Sequence, residues 1–219
     1  PIFFLSGIAS GAFEVSLLLF QSYLFLMLLM SFMMEYSRIL FDGNDNHILQ
    51  RLPVNSKTIL VARLMSMLVY MFFLSGCMSV IPTVIVGCWK GVISGAFFIV
   101  SVFLNTVFTL LFANAVYLVV MRFVSVEKFQ RVMSYAQVVL IAGVALSYQL
   151  VGQFTRSVQL DVFHPGAWVY FTPPCYFMSL TVMGEQPTGP VFLLALIGVG
   201  LVGVLGYITV AYLAPYFSV

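Results

Sequence analysis

Charged side chains are scarce in this chain. Lysine, arginine, aspartate and glutamate make up 7% of its 219 residues, and apolar residue types make up 62%. Soluble domains average about 25% charged residues. A chain with so little charge cannot cover a water-facing surface. The composition therefore predicts one transmembrane domain over residues 1–219, an all-α polytopic bundle.

The motifs of common catalytic and nucleotide-binding sites are also absent. The sequence has no Gly-x-x-x-x-Gly-Lys-Ser/Thr, no Gly-x-Ser-x-Gly, no His-Glu-x-x-His and no Cys-x-x-Cys. Its three cysteines have no metal-binding or redox spacing. We therefore expect no catalytic residue, no metal site and no bound cofactor.

Apolar runs long enough to span a bilayer are abundant, since a spanning helix needs about 20 residues. We predict six spans, at residues 1–13, 15–34, 62–88, 92–121, 133–151 and 191–213. The first two are separated near Gly11–Glu14, because one helix over 1–34 would run about 50 Å through a core of about 30 Å. This division places Glu14 in a solvated turn. Both chain ends are apolar, so we expect a chain truncated at both ends.

The basic residues are distributed unequally between the two sides of these spans. Lys90 and Arg156 lie on one side, and seven lie on the other. Basic residues concentrate in cytoplasmic loops. We therefore expect residues 35–61 and 122–131 in the cytoplasm and 152–190 outside. The seven are Arg38, Arg51, Lys57, Arg63, Arg122, Lys128 and Arg131.

The longest polar run, residues 42–60, contains a short helix pattern. Asn44 or Asp45 can cap a helix that ends at Pro53, and Asn55 or Ser56 can cap the next one. Three large apolar residues of the first helix share one face: Ile48, Leu49 and Leu52. This face either rests on lipid headgroups or docks in a groove of a partner.

This run and the start of the next span contain the pattern Phe41-Asp42-x-x-Asp45-x-x-Ile48-Leu49-x-x-Leu52-Pro53-Val54-x-x-Lys57-Thr58-Ile59-Leu60-x-Ala62-Arg63-Leu64. The pattern resembles the first cytoplasmic loop of type-2 ATP-binding-cassette (ABC) permeases. A second stretch has the sequence Trp168-Val-Tyr-Phe-Thr-Pro173-Pro174-Cys-Tyr-Phe177. It is similar to the Pro-Pro-aromatic stretch before the last span of many such permeases.

The resemblance implies a permease subunit of an ABC transporter, and we expect an exporter in the bacterial inner (cytoplasmic) membrane. ATP would be hydrolysed by a separate cytoplasmic ATP-binding subunit, and two permease units would form a homo- or heterodimer. The partner-coupling residues would be Asp45, Ile48, Leu49, Leu52 and Pro53. The alternative is a non-transport structural or assembly subunit of a larger membrane complex. Spans with few polar residues favour a lipid-like or amphiphilic cargo.

The outer segment 152–190 is rich in aromatic residues and proline, a composition that suits the bilayer interface but prevents one continuous helix. We predict a short re-entrant or interfacial helical element that includes Trp168, Pro173 and Pro174. An ordinary outer loop with interfacial anchors is the alternative. A Cys88–Cys175 disulfide is possible on this side of the membrane.

Two asparagines, Asn105 and Asn114, lie within an apolar span. We expect both to form hydrogen bonds across helices rather than to bind a substrate. The spacing of Gly91-x-x-x-Gly95 is typical of close helix packing.

Overall fold

A computed structural model describes residues 13–41, 56–123, 135, 137–139, 141–143, 172–184 and 188–213. These residues are almost all helical. Five helices are defined: α1 (Phe13–Phe41), α2 (Ser56–Lys90), α3 (Val92–Phe123), α4 (Pro173–Met183) and α5 (Gly189–Leu213).

Four of these helices are long and apolar enough to cross a membrane. Their apolar spans cover Phe13–Met34, Met65–Lys90, Val92–Val116 and Gly189–Thr209. A helix satisfies its backbone hydrogen bonds internally, as hydrocarbon requires. The prediction of an integral membrane protein built from helices is therefore confirmed.

The predicted count of six spans goes further than these four helices. Residues 1–12 lie outside the described part of the chain. Of the span predicted at 133–151, the described residues are 135, 137–139 and 141–143, and all are helical. The count of six therefore stays a prediction.

The polar segment predicted at 35–61 includes the ends of two helices. Helix α1 continues to Phe41, and α2 begins at Ser56. Charged residues such as Glu35 do not end a helix, because its backbone bonds form in water as well as in lipid. The predicted helix start near Ser56 is confirmed.

Helices α2 and α3 form a tight hairpin around Gly91. This residue has a φ of 101°, a conformation that residues with a Cβ atom rarely adopt. A Cβ atom at Gly95 would lie 3.2 Å from the Cα atom of Gly87. The break predicted between the spans at 62–88 and 92–121 is confirmed, and the close packing joins Gly95 to Gly87.

Helices α1 and α3 run in the same direction, with α2 antiparallel to both. The ring of Phe20 lies 5.5 Å from that of Phe98, and the ring of Phe25 lies 5.9 Å from that of Phe112. The Lys90 Nζ atom lies 4.7 Å from the ring centroid of Phe13. The first turn of α1, including Glu14, therefore shares one end of the bundle with the α2–α3 turn, which we call the Lys90 end.

Helix α3 is the centre of the described bundle. Half of its apolar span is buried (50%), against 11% for the span of α5. The largest cluster of buried apolar side chains joins α1 to α3 and includes Leu17, Leu24, Leu28, Phe98, Val102 and Leu110. Helix α5 therefore lies at the periphery, where its apolar side chains face lipid.

Candidate functional site

Helix α4 is too short to cross a membrane. Its 11 residues rise about 16 Å, half of a core of about 30 Å. A Cβ atom at Gly184 would lie 3.3 Å from the Cα atom of Ser94. The ring of Phe177 lies 5.4 Å from that of Phe108. Helix α4 is therefore antiparallel to α3, and it begins level with the middle of the α3 span.

A helix that begins this deep in the membrane must leave few backbone N–H groups without a hydrogen-bond partner, because unpaired N–H groups are costly away from water. Pro173 and Pro174 occupy its first two positions, and proline has no N–H group. The next N–H group, that of Cys175, donates to the carbonyl oxygen of Thr172 at 3.0 Å. The two prolines therefore remove the donors that would otherwise be unpaired.

Three polar side chains form a cluster between α1, α3 and α4. Gln21, Ser101 and Asn105 are all 0% exposed. The Nε2 atom of Gln21 donates to the Oγ atom of Ser101 at 2.7 Å, and this Oγ atom donates to the carbonyl oxygen of Phe177. We call Gln21, Ser101 and Asn105 the polar cluster.

Asn105 completes this arrangement from the next turn of α3. Its Nδ2 atom donates to the Oε1 atom of Gln21 at 2.8 Å and to the backbone oxygen of Gln21 at 3.2 Å. The cross-helix hydrogen bond predicted for Asn105 is therefore confirmed. In contrast, the Nδ2 atom of Asn114 has no hydrogen-bond partner in the described part of the chain.

The polar cluster lies in the middle of the bundle. Gln21 is eight residues from Phe13, and Asn105 is thirteen residues from Val92, which corresponds to about 12 and 20 Å from the Lys90 end. None of the three side chains carries a charge, so their burial requires hydrogen bonds but no counter-ion. The cluster is chemically suited to holding three helices in register.

Sequence reasoning did not single out Gln21. It lies in the apolar run of the first full span, and its partners are 80 and 84 positions away. A lone glutamine inside a span is a signal that could have identified it, because polar residues in a membrane need partners.

The other predicted site residues fall into two groups. Pro173 and Pro174 begin α4. The predicted coupling residues and Trp168 lie outside the described residues; the coupling residues are Asp45, Ile48, Leu49, Leu52 and Pro53. The possible Cys88–Cys175 bond is not formed, because both cysteines are free, with Cys88 exposed and Cys175 buried.

An open, apolar depression on the surface of the described bundle is lined by Val84, Ile85, Cys88 and Trp89. Among the residues with a described position, no three of the types His, Cys, Asp and Glu are grouped as metal ligands would be.

Comparisons with family models, with curated proteins and with solved structures give no match to this chain. Its structure alone therefore classifies it, as an integral membrane protein with four helices long and apolar enough to span the bilayer.

Proposed function

We propose that this chain is the membrane-spanning permease subunit of an ABC transporter, an exporter coupled through residues 42–60 to a separate cytoplasmic ATPase subunit. The main support is the position of the Leu52-Pro53 motif in the sequence between two long apolar helices, of which α1 ends at Phe41 and α2 begins at Ser56. Residues 35–61 and 122–131 would face the cytoplasm, and two such chains would form the transport path as a dimer.

The two helices that flank the loop both reach its polar sequence. Helix α1 continues past Glu35 and Arg38 to Phe41, and α2 begins at Ser56, next to Lys57. Charged residues are rare in the hydrocarbon of a membrane. Residues 42–55 would therefore lie at the aqueous ends of both helices, where a soluble subunit can bind them.

The polar cluster would transmit a movement of this loop into the bundle. Helix α1 is continuous from Gln21 to Phe41, about 30 Å of rigid backbone. At its buried end, Gln21 is hydrogen-bonded to Ser101 and thereby connected to α4. A push at the coupling loop would therefore move α1, α3 and α4 together rather than α1 alone.

Helix α4 would be the re-entrant element of the outer side. Its short length and its start in the middle of the bundle support this assignment, and so do the buried Cys175 and Phe177 on its packed face. The bilayer tolerates such a half-length helix only where protein covers its backbone ends. Helix α5 would then complete the bundle as the last span.

The alternative, a structural or assembly subunit without transport activity, is favoured by the packed interior. Leu24, Phe98 and the polar cluster fill the space between α1 and α3, as they would in a static scaffold. The two functions differ in one requirement, because the permease needs an ATP-binding subunit and the scaffold does not.

Substitutions on the apolar face of the coupling loop test this proposal. In the tagged full-length chain, Ile48→Asp and Leu52→Asp should abolish co-purification of an ATP-binding subunit, because a charge in a desolvated groove costs several kcal/mol. Gln50→Asp lies on the opposite face of the same helix pattern and serves as the control. All three variants should insert normally.

Two results would contradict the proposal in different ways. If both aspartate variants retain the ATP-binding subunit, the loop helix rests on headgroups instead. If the unmodified chain co-purifies with no ATP-binding subunit and shows no ATP-dependent export in vesicles, the scaffold function is correct.

A further inference from the structure

Helix α2 contains a proline within its membrane span. Pro82 lies 17 residues after Met65 and eight before Lys90, where this span begins and ends. Proline has no N–H group to donate to the carbonyl oxygen of Met78, four residues earlier, and its ring clashes with that carbonyl group. Sharp bends of helices are found mainly at such prolines. The backbone of α2 is therefore weakest in the turn from Met78 to Pro82.

Two hydroxyl groups next to Pro82 weaken the same part of the helix. The Oγ1 atom of Thr83 donates to the carbonyl oxygen of Ser79 at 2.7 Å, and the Oγ atom of Ser79 donates to that of Gly76 at 3.1 Å. Side-chain bonds to the carbonyl groups of the preceding turn slightly destabilise a helix and often bend it. A Cβ atom at Gly76 would meet nothing within 4 Å. Open space beside this turn therefore leaves room for a bend.

The half of α2 between Pro82 and Lys90 is held closely against α3. A Cβ atom at Gly95 would lie 3.2 Å from the Cα atom of Gly87 and 3.9 Å from the carbonyl oxygen of Thr83. Two backbones in such close contact cannot shift independently, because packed interiors transmit a displacement. Residues 83–90 therefore move with α3 as one body.

The other half of α2 contacts α3 through side chains. The ring of Phe72 stacks on that of Phe103, with the centroids 4.5 Å apart. Apolar contacts of this kind can separate, because lipid tails replace them. Pro82 is buried, so it faces the neighbouring helices. The clash between its ring and the carbonyl group of Met78 pushes two turns apart on this face, and the half before Pro82 is therefore bent away from α3.

We propose that Pro82 is a hinge in α2. The half that begins at Ser56 swings away from α3, whereas the half that ends at Lys90 stays fixed to it. A bend of about 20° moves Met65, about 25 Å from the hinge, by about 9 Å. The gap opens at the end of the bundle opposite Lys90. This movement requires neither ATP nor a partner subunit, so the hinge does not rest on the proposed transport function.

Helix α5 provides a reference from which the movement can be measured. A Cβ atom at Gly206 would lie 3.7 Å from the Cδ1 atom of Leu111. Nearer the Lys90 end, Gly198 packs on Tyr176, which precedes the residue bonded to Ser101. Helices α3 and α5 are therefore parallel, and α5 begins at the Lys90 end.

Double electron–electron resonance between spin labels on the full chain in nanodiscs tests the hinge. One pair of labels is attached through Met65→Cys and Tyr207→Cys, at the end opposite Lys90. The second pair is attached through Val84→Cys and Leu193→Cys, near the Lys90 end. All four positions are exposed. Because only Met65 lies before the hinge, the distances of the first pair should be spread more widely than those of the second, by about 9 Å for a bend of about 20°.

Pro82→Ala should narrow the distribution of the first pair to the width of the second, because alanine restores the N–H group and removes the ring. Pro190→Ala is the control, because this exposed proline lies in the first turn of α5, and it should change neither distribution. All labelled chains carry Cys77→Ser and Cys88→Ser, since these two native cysteines are exposed. Equal widths for the two pairs before Pro82 is replaced would overturn the hinge. A wide distribution that persists in Pro82→Ala would also overturn it.

Discussion

Gln21 and Ser101 are joined by a hydrogen bond of 2.7 Å between two helices, and both side chains are fully buried. Because the hydroxyl group of Ser101 in turn donates to the carbonyl oxygen of Phe177, one glutamine fixes the relative positions of three helices. Most of the surrounding packing is apolar and would tolerate sliding. The polar cluster is therefore the part of the described bundle that specifies its register.

Gln21→Leu should destabilise the protein, because it removes one side-chain bond to Ser101 and one to Asn105. Hydrogen bonds between membrane helices average about 0.6 kcal/mol, so we expect a loss of about 1 kcal/mol, or 2–4 °C in Tm. A double-mutant cycle with Asn105→Leu should show positive coupling. Ser75→Ala is the control, because Ser75 donates only to Phe72 in its own helix. Equal Tm values for Gln21→Leu and Ser75→Ala would show that the cluster contributes little.

Gly198→Ala should weaken the contact between α4 and α5. A Cβ atom there would lie 2.9 Å from the Cβ atom of Tyr176, so the helices would have to separate, at a cost of about 1–3 kcal/mol. Gly200→Ala meets nothing within 4 Å and should be neutral or stabilising by up to about 1 kcal/mol. Thermal unfolding of the two variants in the same detergent compares them directly. A Gly198→Ala variant as stable as Gly200→Ala would contradict this packing.

The sequence was sufficient to predict where helices lie but not how they contact one another. The turn at Gly91, the helix start near Ser56 and the last span follow from local patterns of charge, glycine and apolar runs. The contact of Gly198 with Tyr176 and the bonds of Gln21 depend on the register between distant helices. A local pattern contains no information about that register, because lipid-facing and core-facing residues of a span are equally apolar.

The extent of α1 illustrates the same limit. Hydropathy indicates where this helix leaves hydrocarbon, near Glu35, but not where the helix ends. The backbone remains helical to Phe41. The sequence also did not predict that Pro173 and Pro174 remove unpaired N–H donors at the start of α4, because it does not reveal the depth at which Pro173 lies in the membrane.

Pro174→Ala should cost more than Pro190→Ala. Both prolines lie in the first turn of a helix, but Pro174 is buried and Pro190 is exposed. Each substitution loses a similar amount of chain rigidity, up to about 1 kcal/mol. Only Pro174→Ala also adds an N–H group away from water. This group costs about a further 1–3 kcal/mol if it finds no hydrogen-bond partner. Equal losses of Tm would show that the start of α4 is solvated.

The three native cysteines should react with a maleimide according to their surroundings. Cys88 is exposed two residues from Lys90, Cys77 is exposed eleven residues deeper on α2, and Cys175 is buried. Maleimides react with the thiolate, which forms in water and not in hydrocarbon. A membrane-impermeant maleimide added to intact cells should therefore label Cys88 alone, and Cys88→Ser should remove the label.

Denaturation in detergent without a reducing agent should then expose Cys77 and Cys175 as well, since all three thiols are free. The same experiment determines the orientation of the chain, because the Lys90 end should face outward if basic loops lie in the cytoplasm. Labelling of Cys88 only after the cells are permeabilised would reverse the topology. The loop that contains Leu52-Pro53 would then lie outside, where no cytoplasmic ATPase could reach it, and the proposed transport function would fail with it.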